Sequence, residues 1–83
     1  MSYEPKPLDY GELKRMVEVA ARAQFRANDS YTHGYYMGIR HGIEQVGLKL
    51  YGSPFMVDAE VIRMRIFYEE EALREEAGTQ TPA

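Results

Sequence analysis

The sequence predicts an all-α fold: a helical hairpin and a third helix form a small three-helix bundle, which is expected to be oligomeric. Apolar residues recur at helical spacing along most of the chain, and turn-forming residues cluster at two places between the helical segments. Glycines also recur at every fourth position in the second segment, which indicates close helix packing. We expect one helical domain over residues 9–78, with an extended arm (1–8) before it and a mobile tail (79–83) after it.

Composition narrows the class of protein. The chain has 83 residues, enough for one domain, and 45% of them are hydrophobic, which is typical of a folded protein. It contains no cysteine, which excludes disulfides, thiolate metal sites and cysteine nucleophiles. The net charge of −3 differs from the strongly basic balance of many nucleic-acid-binding proteins.

The same composition gives expectations about location and source. The N-terminal stretch lacks the apolar region of a signal peptide, so we expect a cytoplasmic protein. Charged side chains interrupt the longest apolar stretch, residues 31–51, so we expect no membrane span. Arginine outnumbers lysine and alanine is frequent, a composition that we interpret as that of a bacterial or phage protein.

The first helix is expected over residues 10–27. Asp9 is the predicted N-cap, with Glu12 as its capping-box partner. Apolar and alanine side chains share one broad face: Leu13, Met16, Val17, Ala20, Ala23 and Ala27. The opposite face carries charges and is expected to be solvated: Lys14, Arg15, Glu18, Arg22 and Arg26. Phe25 lies on the charged side and either folds over the helix end or contacts a partner.

The second helix is expected to begin after a cap at Asp29 or Ser30 and to end near Tyr51, with Gly52 as the terminating residue. Only a narrow strip of it is clearly polar: His33, Arg40 and Glu44. A broad face is apolar: Tyr35, Tyr36, Ile39, Ile43, Val46 and Leu50. The glycine ridge flanks that face: Gly34, Gly38 and Gly42. A helix apolar around most of its circumference is expected to be central, with one of its two packing surfaces internal.

The glycine ridge has three possible neighbours. A glycine inside a helix costs about 1 kcal/mol relative to alanine, so three on one ridge indicate that something packs closely there. The small residues of the first helix, a second copy of the chain or a different protein could each fill this space.

The third helix is expected to begin at Pro54, or at Ala59 with Asp58 as its cap, and to end before Gly78. It carries two apolar stripes. The first contains Ile62, Ile66 and Leu73, and the second contains Val61, Met64, Tyr68 and Ala72. Residues 61–67 also alternate in polarity, so a strand is the competing interpretation. The acidic run 69–71 is interpreted as a solvated helix face.

Two striped helices carry more apolar surface than one small core absorbs, so some of it is expected to form an interface. The predicted packing or oligomer residues are Gly34, Gly38, Gly42, Tyr35, Met37, Val61, Met64 and Tyr68. The predicted aromatic contacts to a partner are Phe25, Tyr31 and Phe67. The partner is either a second copy, giving a homodimer, or another protein.

No constellation of catalytic residues is recognisable, and we expect neither an enzyme nor a cofactor. His33 and His41 are about 12 Å apart along a helix, too far to share one metal ion. The predicted function is a non-enzymatic protein–protein interaction module, such as a regulator, an inhibitor or an assembly subunit. The alternative is a nucleic-acid-associated protein that contacts phosphates through the basic residues of the first helix: Lys14, Arg15, Arg22 and Arg26.

Overall fold

A computed structural model describes residues 8–79 as three packed α-helices. The helices are α1 (Tyr10–Arg26), α2 (Ser30–Tyr51) and α3 (Ser53–Thr79). The predicted all-α class is confirmed, and the strand interpretation of 61–67 is wrong because these residues lie in the middle of α3. The predicted extended arm and mobile tail lie outside the described residues, apart from Leu8 and Thr79.

Local sequence signals set the ends of the first two helices. Asp9 occupies the N-cap of α1, but the predicted capping box is wrong because its side chain makes no capping hydrogen bond. The Asp9 carbonyl instead accepts from the Leu13 amide at 3.0 Å. Asp29 caps α2 by accepting from the amide and the hydroxyl of Thr32, at 2.7 and 2.9 Å, and these bonds lower the pKa of Asp29. Gly52 ends α2 with φ +80°, a conformation that suits glycine.

α3 is longer than predicted at both ends. It begins at Ser53, one residue before the earlier predicted start, and continues through Gly78 to Thr79. Asp58, the alternative cap, lies inside the helix and accepts a hydrogen bond from the Tyr10 hydroxyl, which raises the pKa of Tyr10. A side chain engaged with α1 in this way is not available to cap its own helix.

The hydrophobic core lies mainly between α1 and α3. Its buried members are Leu13, Val17, Ala21, Phe55, Ala59, Ile62 and Ile66. The first predicted stripe of α3 therefore faces inward, while its last member, Leu73, remains exposed beyond the core. α2 contributes Ile43, which is half-buried against this cluster.

The charged side of α1 packs against α3, so the prediction of a purely solvated face is wrong. Glu70 is buried and accepts from Arg26 Nε at 2.9 and 3.0 Å and from Arg22 Nη1 at 3.0 Å. Arg22 Nη2 also donates to Glu69 at 3.1 Å and to Glu18 at 3.4 Å. The hydrogen bonds from Arg26 and Arg22 lower the pKa of Glu70 although burial opposes that shift.

We expect Glu70→Gln to lower the free energy of unfolding near neutral pH by about 2 kcal/mol, because two charge-assisted contacts become neutral ones. The folded-state pKa of Glu70 is lowered, so its stabilisation is complete above the unfolded value of about 4.5 and is lost as pH falls through the folded value. Urea denaturation at several pH values measures this. The gap between wild type and variant should close on acidification, and a gap that persists in acid would contradict the assignment.

The matched control is Glu71→Gln, because Glu71 is the next residue in the same acidic run and is exposed. We expect its effect to stay within about 0.5 kcal/mol at every pH. An equal effect of the two substitutions would show that the loss comes from overall charge and not from the buried contact.

Candidate protein-binding surface

α2 turns its polar strip inward and most of its apolar face outward. Its buried residues are Arg40, Glu44 and Gly47, and the first two are each 6% exposed. We expected either the apolar face or the glycine ridge of α2 to be internal. That expectation is wrong for most of both surfaces, because the polar strip is the internal one. Only the edge of the apolar face, at Tyr36 and Ile43, is half-buried.

The inward strip is held by a hydrogen-bonded polar cluster with α1. Arg40 Nη1 donates to both carboxylate oxygens of Glu44, at 2.5 and 3.1 Å, and Arg40 Nε donates to Gln24 Oε1 at 2.9 Å. Gln24 Nε2 lies 3.3 Å from His33 Nε2, and His33 Nδ1 lies 3.2 Å from the main-chain oxygen of Gln24. With Oε1 of Gln24 accepting from Arg40, this network places the imidazole proton on Nδ1. Among the described residues, every buried side-chain nitrogen and oxygen has a partner.

The glycine that receives a close neighbour is Gly47, not a member of the ridge. A Cβ built on Gly47 would lie 2.1 Å from Cε1 of the Phe55 ring, so only glycine admits this ring against α2. A Cβ built on Gly34, Gly38 or Gly42 would meet no atom of another described helix within 4 Å. The alternative in which α1 fills the ridge is therefore wrong, and the ridge is open.

An apolar strip and a groove lie on the outward side of the hairpin. We define the α2 stripe as the exposed residues Tyr35, Ile39, Val46 and Leu50. The α1–α2 groove beside it has a volume of about 510 Å³ and contains Met16 and Val19 of α1, which are 42% and 67% exposed. Its other lining residues are Glu12, Arg15, Ala20, Tyr36, Ile39 and Ile43. The stripe and the groove are adjacent because they share Ile39.

The outward side of α2 is almost uncharged. The helix contains three charged residues, Arg40, Glu44 and Lys49, and the first two are buried against each other. Lys49 is therefore the one charged side chain that α2 exposes along its 22 residues. A surface with so little charge is unusual for a helix facing water.

α3 presents a second exposed strip, which we call the α3 stripe. It consists of Val57, Val61, Met64 and Tyr68, spaced four, three and four residues apart on the side away from the core. The second stripe predicted from the sequence is thus exposed in the single chain.

The predicted partner contacts fall into two groups. Tyr31 is 82% exposed. Met37, a predicted packing or oligomer residue on the same helix, is exposed in part. Phe25 is half-buried at the edge of the core. The centres of the Phe25 and Phe67 rings are 5.4 Å apart, in an edge-to-face arrangement. Within the chain, these two phenylalanines therefore contact each other across α1 and α3.

The four basic residues of the nucleic-acid alternative do not form one free patch. Arg22 and Arg26 donate to acidic residues of α3, and the bonds to Glu69 and Glu70 raise the pKa of Arg22. Lys14 Nζ lies 5.6 Å from the centre of the Tyr10 ring. Arg15 is exposed at the groove.

Residues 8–79 form neither a metal-binding cluster nor a membrane-spanning helix. No group of three or more histidine, aspartate or glutamate side chains there could hold a metal ion. No helix in that part of the chain combines the length and the apolar character needed to cross a membrane. Comparison with known proteins found no matching family model, no similar curated protein and no similar solved structure.

Three residues of this surface and its support are not predicted as such by the sequence. Met16 shares the broad apolar face of the first helix with core residues, yet it is exposed, and Val19 lies outside that face. Gly47 follows Arg40 and Glu44 at helical spacing, which places it on the polar strip. A glycine within a polar strip was the available signal that this strip approaches another helix closely.

Proposed function

We propose that this protein is a non-enzymatic interaction module that binds another protein chain through the α2 stripe and the α1–α2 groove. It would act as a regulator, an inhibitor or an assembly subunit. The orientation of α2 carries the proposal, because the helix buries a charged pair and leaves its apolar side chains in water. Full burial of one large apolar side chain contributes about 1.5–3 kcal/mol, so covering this surface is strongly favourable. The buried core is small, so covering exposed apolar area would add substantially to the stability of the fold.

The chemistry of the surface favours a protein over a membrane or a nucleic acid. Helices that lie on membranes carry many lysines and arginines on their polar face, and phosphate backbones need clustered cations. The exposed side of α2 offers Lys49 alone. Tyr31 and Tyr35 are well exposed, and tyrosine suits protein interfaces because a large apolar ring ends in a hydroxyl group.

A capture experiment with two matched valine variants tests the proposal. Tagged wild-type chain, expressed in the cells of origin, should retain one protein at stoichiometric amount, either untagged copies or another chain. Val46→Glu places a charge in the α2 stripe and should abolish capture, whereas Val61→Glu places the same charge in the α3 stripe and should retain it. Circular dichroism should show equal helix content in all three, because both valines are exposed.

Two results would count against this assignment. Loss of capture with Val61→Glu and not with Val46→Glu would move the binding surface to α3. A purified wild-type chain that is monomeric and captures no stoichiometric protein would remove the interaction function altogether.

A further inference from the structure

We propose that the chain covering this surface is a second copy of the same protein, with α2 packed antiparallel against α2 of the other copy. The two-fold axis would pass near Gly38 and Gly42. This inference rests on the proposed function, since it names the partner of the same surface. It is carried by the area, the charge and the shape of the exposed side of α2.

The exposed apolar area approaches that of a standard dimer interface. The α2 stripe, Met16 and Val19 together expose on the order of 600 Å² per copy, and a standard interface buries about 800 Å² per partner. The open glycine ridge and the groove walls extend the same surface. Each copy would thus supply its half of the interface from α1 and α2 alone, without a contribution from α3.

The charge distribution favours a second copy in the antiparallel orientation. The exposed side of α2 carries one charge, Lys49, and the groove walls add one acid and one base, Glu12 and Arg15, so the surface does not require an oppositely charged partner. Parallel packing would place the two Lys49 side chains together and align the two helix dipoles, both of which are unfavourable. Antiparallel packing separates the lysines and opposes the dipoles.

The shape of α2 is complementary to itself in that orientation. The open glycines occupy the N-terminal part of the helix, at Gly34, Gly38 and Gly42, and the bulky Val46 follows them. When Gly38 of each copy lies beside Gly42 of the other, the two helix backbones meet at the open ridge, and Val46 lies at the edge of this contact. Small residues at the crossing let two helix axes approach to about 8 Å.

The same register gives Tyr31 and Lys49 a partner. It places Lys49 of each copy beside Tyr31 of the other, where an ammonium group can pack on an aromatic ring. Tyr31 is 82% exposed in the single chain, so its ring is free to take part.

Sedimentation equilibrium of the purified chain tests the oligomeric state. From about 1 to 100 µM, wild type should show twice the single-chain mass of 9.6 kDa. Gly38→Leu should raise the dissociation constant on the order of 100-fold, because the leucine side chain would fill the space that the other helix needs. The fold should persist, because a Cβ at this position would meet no atom of another helix within 4 Å. Val46→Glu should have a similar effect, and Val61→Glu should remain dimeric.

Disulfide trapping tests the orientation, and the chain is suited to it because it has no cysteine. Tyr31→Cys and Lys49→Cys are placed on separately tagged copies, which are then mixed and oxidised; eighteen residues are five helical turns, so both positions lie on the same face of α2. Antiparallel packing should yield mainly the mixed disulfide between positions 31 and 49. A predominance of 31–31 and 49–49 disulfides would overturn the antiparallel arrangement.

Three results would overturn the dimer, and they distinguish its failure from a failure of the proposed interaction function. A monomeric mass throughout, with Val46-dependent capture of a different protein, refutes the second copy and leaves the interaction function intact. A monomeric mass with no capture removes both. Cosedimentation of wild type, but not of Val46→Glu, with phosphatidylcholine–phosphatidylglycerol vesicles would assign the surface to a membrane.

Discussion

Glu44→Ala is expected to lower the free energy of unfolding by about 3 kcal/mol. The substitution leaves the guanidinium of Arg40 buried, with Gln24 and His41 as its remaining hydrogen-bond partners. The Glu60 carboxylate of α3 attracts Arg40 electrostatically but is hydrogen-bonded to Arg63. An unpaired buried charge is costly because the low-dielectric interior does not replace the lost solvation. A loss of this size is a large share of the stability of a small domain, about 5–15 kcal/mol.

Urea denaturation of wild type, Glu44→Ala and Glu44→Gln measures the effect. Glu44→Gln keeps the shape and one acceptor, so its loss should be smaller, about 1–2 kcal/mol. Glu71→Ala, at an exposed position, serves as the control and should change little. A loss below about 1 kcal/mol for Glu44→Ala would mean that Arg40 reaches water by a side-chain rotation.

A double substitution distinguishes the cost of an unpaired charge from the contribution of the hydrogen bonds. Arg40→Met combined with Glu44→Leu removes both charges together and should recover much of the stability lost in Glu44→Ala, because buried ion pairs are often replaceable by apolar residues. If the double variant is less stable than Glu44→Ala, the cluster with Gln24 stabilises the fold through its hydrogen bonds and not merely by neutralising a charge.

Gly47→Leu is expected to destabilise the fold by about 3 kcal/mol or more, although leucine is the better helix former. The Phe55 ring touches the backbone of α2 here, and a Cβ would lie 2.1 Å from it. Phe55 is fully buried in the core and cannot move away without displacing other core side chains. Gly47→Ala should also destabilise, by about 1–2 kcal/mol, since the overlap exceeds the gain in helix propensity.

Gly42→Ala is the matched control because it is the same change on the same helix with open space around it. It should stabilise the single chain by up to about 1 kcal/mol through helix propensity. All variants are best compared in the Val46→Glu background, which removes the dependence of stability on association. If Gly47→Ala were as stable as Gly42→Ala, Phe55 would not be packed against this position.

The positions of the helices and several of their ends were predictable because they depend on neighbouring residues. Asp29 caps the second helix through Thr32, three positions on, and Gly52 ends it by adopting a positive φ. The inward stripe of Ile62 and Ile66 follows from helical spacing alone. The predicted end of α3 before Gly78 is wrong, because Gly78 continues the helix instead of terminating it.

The inward face of α2 was not predictable from its wheel. Hydrophobicity alone indicates that the broad apolar face is internal, yet Arg40 and Glu44 are inside. Their burial depends on Gln24, which lies in another helix and is sixteen residues from Arg40 in the sequence. Buried polar groups are tolerated when partners satisfy them, and such partners are known only once the helices are packed.

The sequence by itself indicated a helical hairpin and a third segment, a cap at Asp29 or Ser30, an end at Gly52 and an excess of apolar surface, because each of these depends on residue type and local spacing. The structure decided that Asp29 is the cap and that residues 61–67 are helical. Only the tertiary structure decided which surface of α2 is internal. The packing of Phe55 against Gly47 joins α3 to α2, and the hydrogen bond from Arg40 to Gln24 joins α2 to α1, so both require atoms from different helices. That packing leaves the α2 stripe and the glycine ridge facing outward.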